Sequence, residues 1–108
     1  MTQSLKKEIY ILDIARDELI LFPRRVQEKF GVLIKEIAET GYLKYPEGKK
    51  FSGYDLFEMR IMDESIYRGI YCYFDTTVVI LSFLKKKTQK TPFREIQKAL
   101  KRKYNLIF

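Results

Sequence analysis

Three strand-like segments follow one another closely between residues 55 and 84, and this run constrains the fold more than any other feature. Asp55–Met62 alternates apolar and charged side chains, Ile66–Phe74 is rich in tyrosine and isoleucine, and Thr77–Leu84 is apolar and β-branched. The links between them have three and two residues, which is short enough for antiparallel hairpins. The sequence therefore predicts three antiparallel strands in a row.

Helical patterns flank this run on both sides. Asp13 is the predicted N-cap of a helix over residues 13–21, and Pro23 ends that helix and opens a second one to about Glu39. Thr91-Pro92 begins a third helix, with Thr91 as its N-cap. Apolar residues at helical spacing in the second helix predict one buried stripe, made of Val26, Phe30, Leu33, Ile34 and Ile37.

The remaining segments complete a small α+β fold. Residues 8–12 are typical of a short first strand, and residues 42–54, with Pro46, Gly48 and Gly53, are typical of a loop. The predicted element order is therefore β-α-α-β-β-β-α. At 108 residues, the chain is expected to form a single domain.

The absence of histidine and the single cysteine exclude several kinds of chemistry. Without histidine, and with Cys72 alone, the common zinc sites and histidine-dependent acid–base catalysis are excluded. Cys72 has no internal partner for a disulfide, which fits a reducing cytoplasm. No stretch approaches the roughly 20 apolar residues of a membrane span. We therefore expect a cytoplasmic protein with no metal, cofactor or membrane partner.

Positive charge is concentrated in residues 84–104. This segment holds nine Lys or Arg residues against one acid, Glu95, whereas the net charge of the whole chain is only +7. The excess is therefore local, and polyanions, with nucleic acid first among them, are its natural partners. The residues that we predict to bind RNA are Lys86, Lys90, Arg94 and Lys98.

Three motifs occur in order along the strands and the basic segment. They are Asp55-Leu-Phe-Glu-Met-Arg60, Tyr67-Arg-Gly-Ile-Tyr71 and Leu81-Ser-Phe-Leu-Lys-Lys-Lys-Thr-Gln-Lys-Thr-Pro92. This set, with the basic helix after it, resembles the RelE/ParE toxin superfamily and in particular its HigB-like, phage-related branch. The resemblance covers nearly the whole chain and implies a RelE-like small twisted antiparallel sheet flanked by helices.

The same resemblance implies a function and partners. It implies the toxin of a type II toxin–antitoxin system. It also implies an activity, since many members are metal-independent endoribonucleases, or mRNA interferases, that cut mRNA on the ribosome. The expected partners are mRNA, the ribosome and a cognate antitoxin, which in this branch is often a helix-turn-helix DNA-binding protein. Another branch of the superfamily poisons DNA gyrase instead, so the resemblance alone leaves the target open.

The resemblance also implies roles for individual residues. Arg68 matches the strand arginine that RelE-like members place near the scissile phosphate, and Arg60 lies where the family keeps a basic residue on the preceding strand. Lys85 and Lys87 lie where the family has its loop rich in lysine and arginine. Tyr104 stands in for a late catalytic tyrosine. The histidine that some members use as acid or base has no counterpart in this chain.

Metal-free RNA cleavage defines what these residues would have to do. The 2′-OH loses its proton as it attacks the phosphorus, the charge on the phosphorane is stabilised, and the 5′-oxygen is protonated as it leaves. The products are a 2′,3′-cyclic phosphate and a 5′-OH. Arginine suits the second task because its planar fork matches phosphate oxygens and stays charged. Glu58 shares a strand face with Arg60 and is either a general base or the ion-pair partner of that arginine.

Each assignment has a structural alternative. The lysines after the third strand are equally typical of a solvated strand end, and Tyr104 of packing against the last helix. Arg68 lies among apolar residues, where an arginine is costly unless it is exposed or paired. For the whole protein the alternatives are a gyrase-poisoning ParE-type inhibitor, a non-catalytic nucleic-acid-binding module, and a folded but inactive toxin. A nuclease requires Arg60, Arg68 and the loop lysines to converge on one concave site.

Overall fold

The strands and helices of the chain form a sheet with helical layers on its two faces. The computed structural model describes residues 6–86 and 90–106. The elements are β1 (Glu8–Ile11), α1 (Asp13–Leu19), α2 (Arg24–Thr40), β2 (Gly48–Lys50), β3 (Phe57–Met62), β4 (Ile66–Phe74), β5 (Thr77–Lys86) and α3 (Phe93–Tyr104). No helix within the described residues is both long and apolar enough to cross a membrane.

The five strands lie in the order β1-β5-β4-β3-β2. The run β3-β4-β5 pairs antiparallel, as the short links predict. β1 pairs parallel with β5, which is possible because all the other helices and strands except α3 lie between these two strands in the sequence. The predicted α+β class is confirmed, and the antiparallel sheet carries one parallel pair at its edge.

Local details differ from the sequence-based expectations. The predicted loop 42–54 contains β2, which pairs with β3 and has no apolar alternation to mark it as a strand. The N-cap of α1 is Leu12 and not Asp13, and the helix ends at Leu19. The N-cap of α3 is Pro92 and not Thr91, with no side-chain hydrogen bond at the cap. The Thr91 hydroxyl is bound elsewhere, as described below.

Two apolar cores lie on opposite faces of the sheet. On one face, the predicted stripe of α2 packs against alternate residues of β3, β4 and β5, among them Met59, Tyr71 and Phe83. Ile96 and Ala99 of α3 pack on the other face, where they meet Ile70 and Leu81 among other strand residues. The sheet is therefore buried on both sides at its centre, and a polar group in its middle strand has no direct access to water.

Gly69 is a position where the core leaves no room for a side chain. A Cβ atom there would lie 3.0 Å from Met59 Cγ and 3.0 Å from Phe83 Cε1. We expect Gly69→Ala to destabilise the protein by about 1–3 kcal/mol, as overpacking does. Gly31→Ala, in α2 with nothing within 4 Å, should stabilise it by about 0.5–1 kcal/mol. Urea unfolding of both variants checks this, and equal effects would contradict it.

Candidate functional site

Charged residues of the central strands converge on the face that α3 covers. Strand alternation turns Glu58 and Arg60 away from the α2 core, as the sequence predicts, and Arg68 lies directly opposite Arg60 in the β3–β4 register. The neighbours of Arg68 and Glu58 on this face, Leu84 and Ile70, belong to the α3 core. Two arginines and a carboxylate thus occupy one end of an otherwise apolar face.

Glu58, Arg68 and Thr91 form a buried network. Arg68 Nη1 donates to Thr91 Oγ1 at 2.8 Å, and Thr91 Oγ1 donates to Glu58 Oε2 at 3.0 Å. Arg68 Nε lies 3.8 Å from the same carboxylate oxygen. The exposed fractions are 0% for Arg68, 6% for Glu58 and 7% for Thr91. A charged pair this deep is tolerated because the opposite charges neutralise each other and both groups hydrogen-bond to Thr91.

Burial and the positive charge of Arg60 both lower the pKa of the Arg68 guanidinium. Burial lowers its pKa, the Glu58 carboxylate opposes that change, and the positive charge of Arg60 adds to it. An arginine nonetheless keeps its proton in proteins. The result is a fixed positive charge beneath the surface, held next to the one carboxylate of this network.

A cleft of about 590 Å³ opens above this network. Glu58, Arg60 and Thr91 line it from the sheet and from the start of the α3 segment, and Lys90 lies beside Thr91. The other lining residues come from β2, the loop after it and α3, and they are Lys49, Lys50, Phe51, Ser52, Tyr54, Phe93 and Ile96. The cleft thus combines a carboxylate, several cations and three aromatic rings, of which Phe93 is 56% exposed.

Several predicted site residues come together here and one lies just beneath. Glu58, Arg60 and Lys90 line the cleft. Arg68 is fully buried, and among the described residues its guanidinium hydrogen-bonds Thr91 and lies beside Glu58, both of which line the cleft. The contact between Arg68 and a phosphate that the resemblance implies stays a prediction.

Of the lysines at 85–87, the two that the structure describes, Lys85 and Lys86, lie outside the cleft lining. The strand β5 extends to Lys86, so Lys85 is still part of it and pairs with Tyr67. Its Nζ lies 5.9 Å from the Tyr67 ring centroid, on the α2 face and opposite to Glu58. Lys86 is half-buried and is not among the cleft residues. Lys87 lies outside the described residues.

Several basic side chains of the segment 84–104 form ion pairs within the protein. Lys98 pairs with Glu95 at 3.1 Å and with Glu18 at 3.5 Å. Arg102 binds Glu18 through two hydrogen bonds of 2.9 and 3.0 Å. Arg94 is exposed and pairs with Glu95 at 3.8 Å. The charge excess seen in the sequence therefore serves in part to hold α3 to α1, and Arg94 and Lys98 lie outside the cleft.

Tyr104 lies at the last residue of α3 and is 70% exposed. It lines a separate cavity with Gly53, Tyr54 and Lys103, among other residues. Tyr54 borders both this cavity and the cleft. The late tyrosine is thus a neighbour of the cleft and not part of its lining.

Sequence reasoning missed the wall that β2 supplies. Lys49 and Lys50 belong to this strand, and Phe51 and Tyr54 follow it. Two adjacent lysines followed by aromatic residues are a signal for nucleic-acid contact that the segment's glycines and proline obscured. The role of Thr91 was also missed, because its place before a proline indicated a helix cap.

Neither a cysteine nucleophile nor a metal site is indicated among the described residues. Burial raises the pKa of the Cys72 thiol to about 11, so this cysteine is not a nucleophile at neutral pH. Within residues 6–86 and 90–106, no three or more His, Cys, Asp or Glu side chains are grouped to hold a metal ion.

Glu18 is the acid that links α1 to the sheet edge and to α3. Its carboxylate accepts the Phe83 amide, which lies past the end of the β1–β5 pairing, and two bonds from Arg102. Burial alone raises the pKa of Glu18, but the hydrogen bonds from Arg102 and Phe83 and the charges of Arg102 and Lys98 outweigh it. The net effect is a pKa below the ordinary 4.5.

This lowered pKa predicts a pH-dependent contribution to stability. Because the folded state holds Glu18 ionised more strongly, its contribution is complete above pH 4.5 and is lost as the pH falls through the lower, folded-state value. The free-energy gap between the parent and Glu18→Gln should therefore shrink on acidification. Urea titrations from pH 7 downward measure it, with Glu28→Gln, an exposed acid on α2, as control. A gap independent of pH would contradict this linkage.

Comparisons with known proteins place this geometry in context. A family model described as "Phage derived protein Gp49-like" matches residues 17–104. The fold is similar to the free toxin RelE of E. coli, in a mutant form, with a TM-score of 0.71 and 19% identity over 90% of this chain and 97% of that chain. It is also similar to a chain of the Mycobacterium tuberculosis toxin–antitoxin complex RelBE2, with a TM-score of 0.58 and 22% identity over 75% of this chain and 99% of that chain. A comparison with curated proteins gave no match.

Proposed function

Since the chain belongs to the family of phage-derived Gp49-like proteins, we propose that it is the toxin of a toxin–antitoxin system and an endoribonuclease that cuts mRNA. Its fold is that of RelE, in agreement with the resemblance of its motifs. The observation that carries the proposal is the cleft itself, in which Glu58 and Arg60 lie beside Lys90 and three aromatic rings, one of them exposed. These are the groups that metal-free cleavage of a phosphodiester requires.

The proposed mechanism assigns one task to each of three groups. Glu58 takes the proton from the 2′-OH, and the 2′-oxygen forms its bond to phosphorus. Arg60 stabilises the negative charge that develops on the phosphorane oxygens. The bond from phosphorus to the 5′-oxygen breaks, and that oxygen receives a proton from Lys90. The products are a 2′,3′-cyclic phosphate and a 5′-OH. Glu58 has gained one proton and Lys90 has lost one, and proton exchange with water returns both groups to their starting states.

The walls of the cleft suit a single RNA strand. Lys49 and Lys50 extend the positive charge along one side for the phosphate backbone. Phe51, Tyr54 and Phe93 offer ring faces on which bases stack. Binding to such a cleft should weaken as salt rises, because each neutralised phosphate releases counterions.

The proposal includes a partner and a place of action. The M. tuberculosis structure is a toxin–antitoxin complex, and we propose a cognate antitoxin here as well, of the helix-turn-helix kind, with an acidic segment that covers the cleft. The substrate is mRNA on the ribosome, and the protein acts in the cytoplasm. Such a partner would neutralise the cations and exclude RNA from Glu58.

Induced expression with mapping of new RNA 5′ ends tests the proposal. We expect codon-phased cuts in translated messages, and rescue of growth by co-expression of the neighbouring reading frame. Purified protein with programmed ribosomes and with naked RNA then separates ribosome-dependent cleavage from free cleavage. Intact RNA with halted replication would overturn the nuclease proposal in favour of gyrase poisoning. RNA binding without cleavage would leave a nucleic-acid-binding module or an inactive toxin.

A further inference from the structure

The Thr91 hydroxyl is bound to the sheet and not to the helix that it precedes. A threonine before a proline at a helix start ordinarily caps the helix, yet the N-cap of α3 is Pro92 and makes no side-chain bond. The hydroxyl instead lies between Arg68 Nη1 at 2.8 Å and Glu58 Oε2 at 3.0 Å. The buried hydroxyl therefore has a role other than capping α3.

The chemistry of the three groups fixes the direction of both hydrogen bonds. A guanidinium only donates and a carboxylate only accepts, whereas a hydroxyl does both. Arg68 therefore donates to Thr91, and Thr91 donates to Glu58. Arg68 Nε is 3.8 Å from Glu58 Oε2, which is beyond hydrogen-bond distance. Among the described residues, the threonine hydroxyl is a bridge that connects the two charges by hydrogen bonds.

The same bridge connects two walls of the cleft. Thr91 follows Lys90 directly and precedes Phe93 by two residues, and both neighbours line the cleft. Glu58 belongs to β3 on the opposite side. The hydrogen bond from Thr91 to Glu58 thus sets the distance between the carboxylate and a cationic and aromatic wall, where a shift of about 1 Å costs on the order of 10²-fold in rate.

We infer that Thr91 is a positioning residue: its hydroxyl, which accepts a hydrogen bond from Arg68, orients the Glu58 carboxylate in the cleft. This inference rests on the proposed nuclease function and deepens it. Thr91 contacts no reacting atom itself. Its hydroxyl holds the base in one orientation, and the two aligned hydrogen bonds strengthen each other in the buried network.

Three substitutions at this position separate the hydroxyl from the shape of the side chain. Thr91→Val keeps the shape and removes the bridge, and we expect kcat to fall by about 10²-fold with KM unchanged. Thr91→Ser keeps the hydroxyl and should restore most of the rate. Thr77→Val, at the far end of β5, is the matched control and should cleave like the parent. Thr91→Ala replaces the valine variant if that one does not fold.

Outcomes for activity and structure are read independently. Parental kcat in Thr91→Val, or a serine variant as slow as the valine variant, would overturn the inference. NMR of the Arg68 guanidinium supplies a second readout, since the Nη1 proton that bonds to Thr91 should keep its chemical shift in Thr91→Ser and change it in Thr91→Val. A parent that does not cleave RNA would overturn the proposed function, and the guanidinium signals would then decide by themselves whether the hydroxyl link exists.

Discussion

Arg60→Ala is expected to lower the rate of RNA cleavage by about 10²–10³-fold, the loss seen when one donor to a developing oxyanion is removed. Arg60 lines the cleft beside Glu58 and is partly exposed, so its guanidinium is available to a phosphate. It belongs to β3 but to neither apolar core cluster, so its loss opens no cavity in either core. Single-turnover cleavage of an RNA bound to programmed ribosomes measures the effect.

Matched variants separate the role of Arg60 from a general loss of charge. Arg60→Lys should recover only part of the rate, because an ammonium cannot form the bidentate contact. Arg24→Ala removes an exposed arginine of α2, on the opposite face of the sheet, and should cleave at the parental rate. Lys85→Ala should also change the rate little, since Lys85 lies on that opposite face. Parental cleavage by a folded Arg60→Ala variant would remove Arg60 from the proposed mechanism.

Arg68→Ala is expected to destabilise the fold by about 3–5 kcal/mol, because it leaves a buried carboxylate without its counter-ion. The side chain is fully buried against Glu58 and Thr91. Total stabilities of small domains are about 5–15 kcal/mol, so this loss should lower the folded fraction at growth temperature. Urea unfolding at pH 7 measures the change in free energy.

A double variant distinguishes a structural pair from a direct phosphate contact. Glu58→Leu with Arg68→Met replaces the pair by apolar groups of similar size, and we expect it to recover most of the lost stability. It should still be inactive, since the base is gone. If Arg68→Ala instead remains as stable as the parent and loses only activity, the direct role implied by the family resemblance would be supported over the buried network.

Local periodicity accounts for the part of the fold that the sequence predicts. The alternation in Phe57–Met62 and the helical stripe of α2 each lie within one element, so the buried face follows from spacing alone. The same alternation predicts that Glu58 and Arg60 share a face. Short links between strands make the β3-β4-β5 pairing the simplest arrangement. Each of these inferences depends on residues close together in the chain.

The face on which Lys85 lies depends on where its strand ends. The sequence predicts a loop after Leu84, in which lysines are free to turn toward the site. The strand instead continues to Lys86, and its two-residue period commits Lys85 to the α2 face. An irregularity in the register opposite Ile70 and Tyr71 also shifts the alternation within β5. One residue of register is enough to move a side chain across the sheet.

The site itself required contacts between distant segments. Thr91 and Glu58 are 33 residues apart, and Arg102 and Glu18 are 84 apart. Composition alone showed a basic segment, but only the packing of α3 against α1 and the sheet decided which cations are paired internally and which line the cleft. Likewise β2 has three residues and no apolar pattern, and it exists because β3 offers it hydrogen bonds. Sequence determined the central strands and the buried faces through local spacing, whereas the cleft, the buried Arg68 and the bridging Thr91 were decided by tertiary packing, which brings together groups that no local pattern relates.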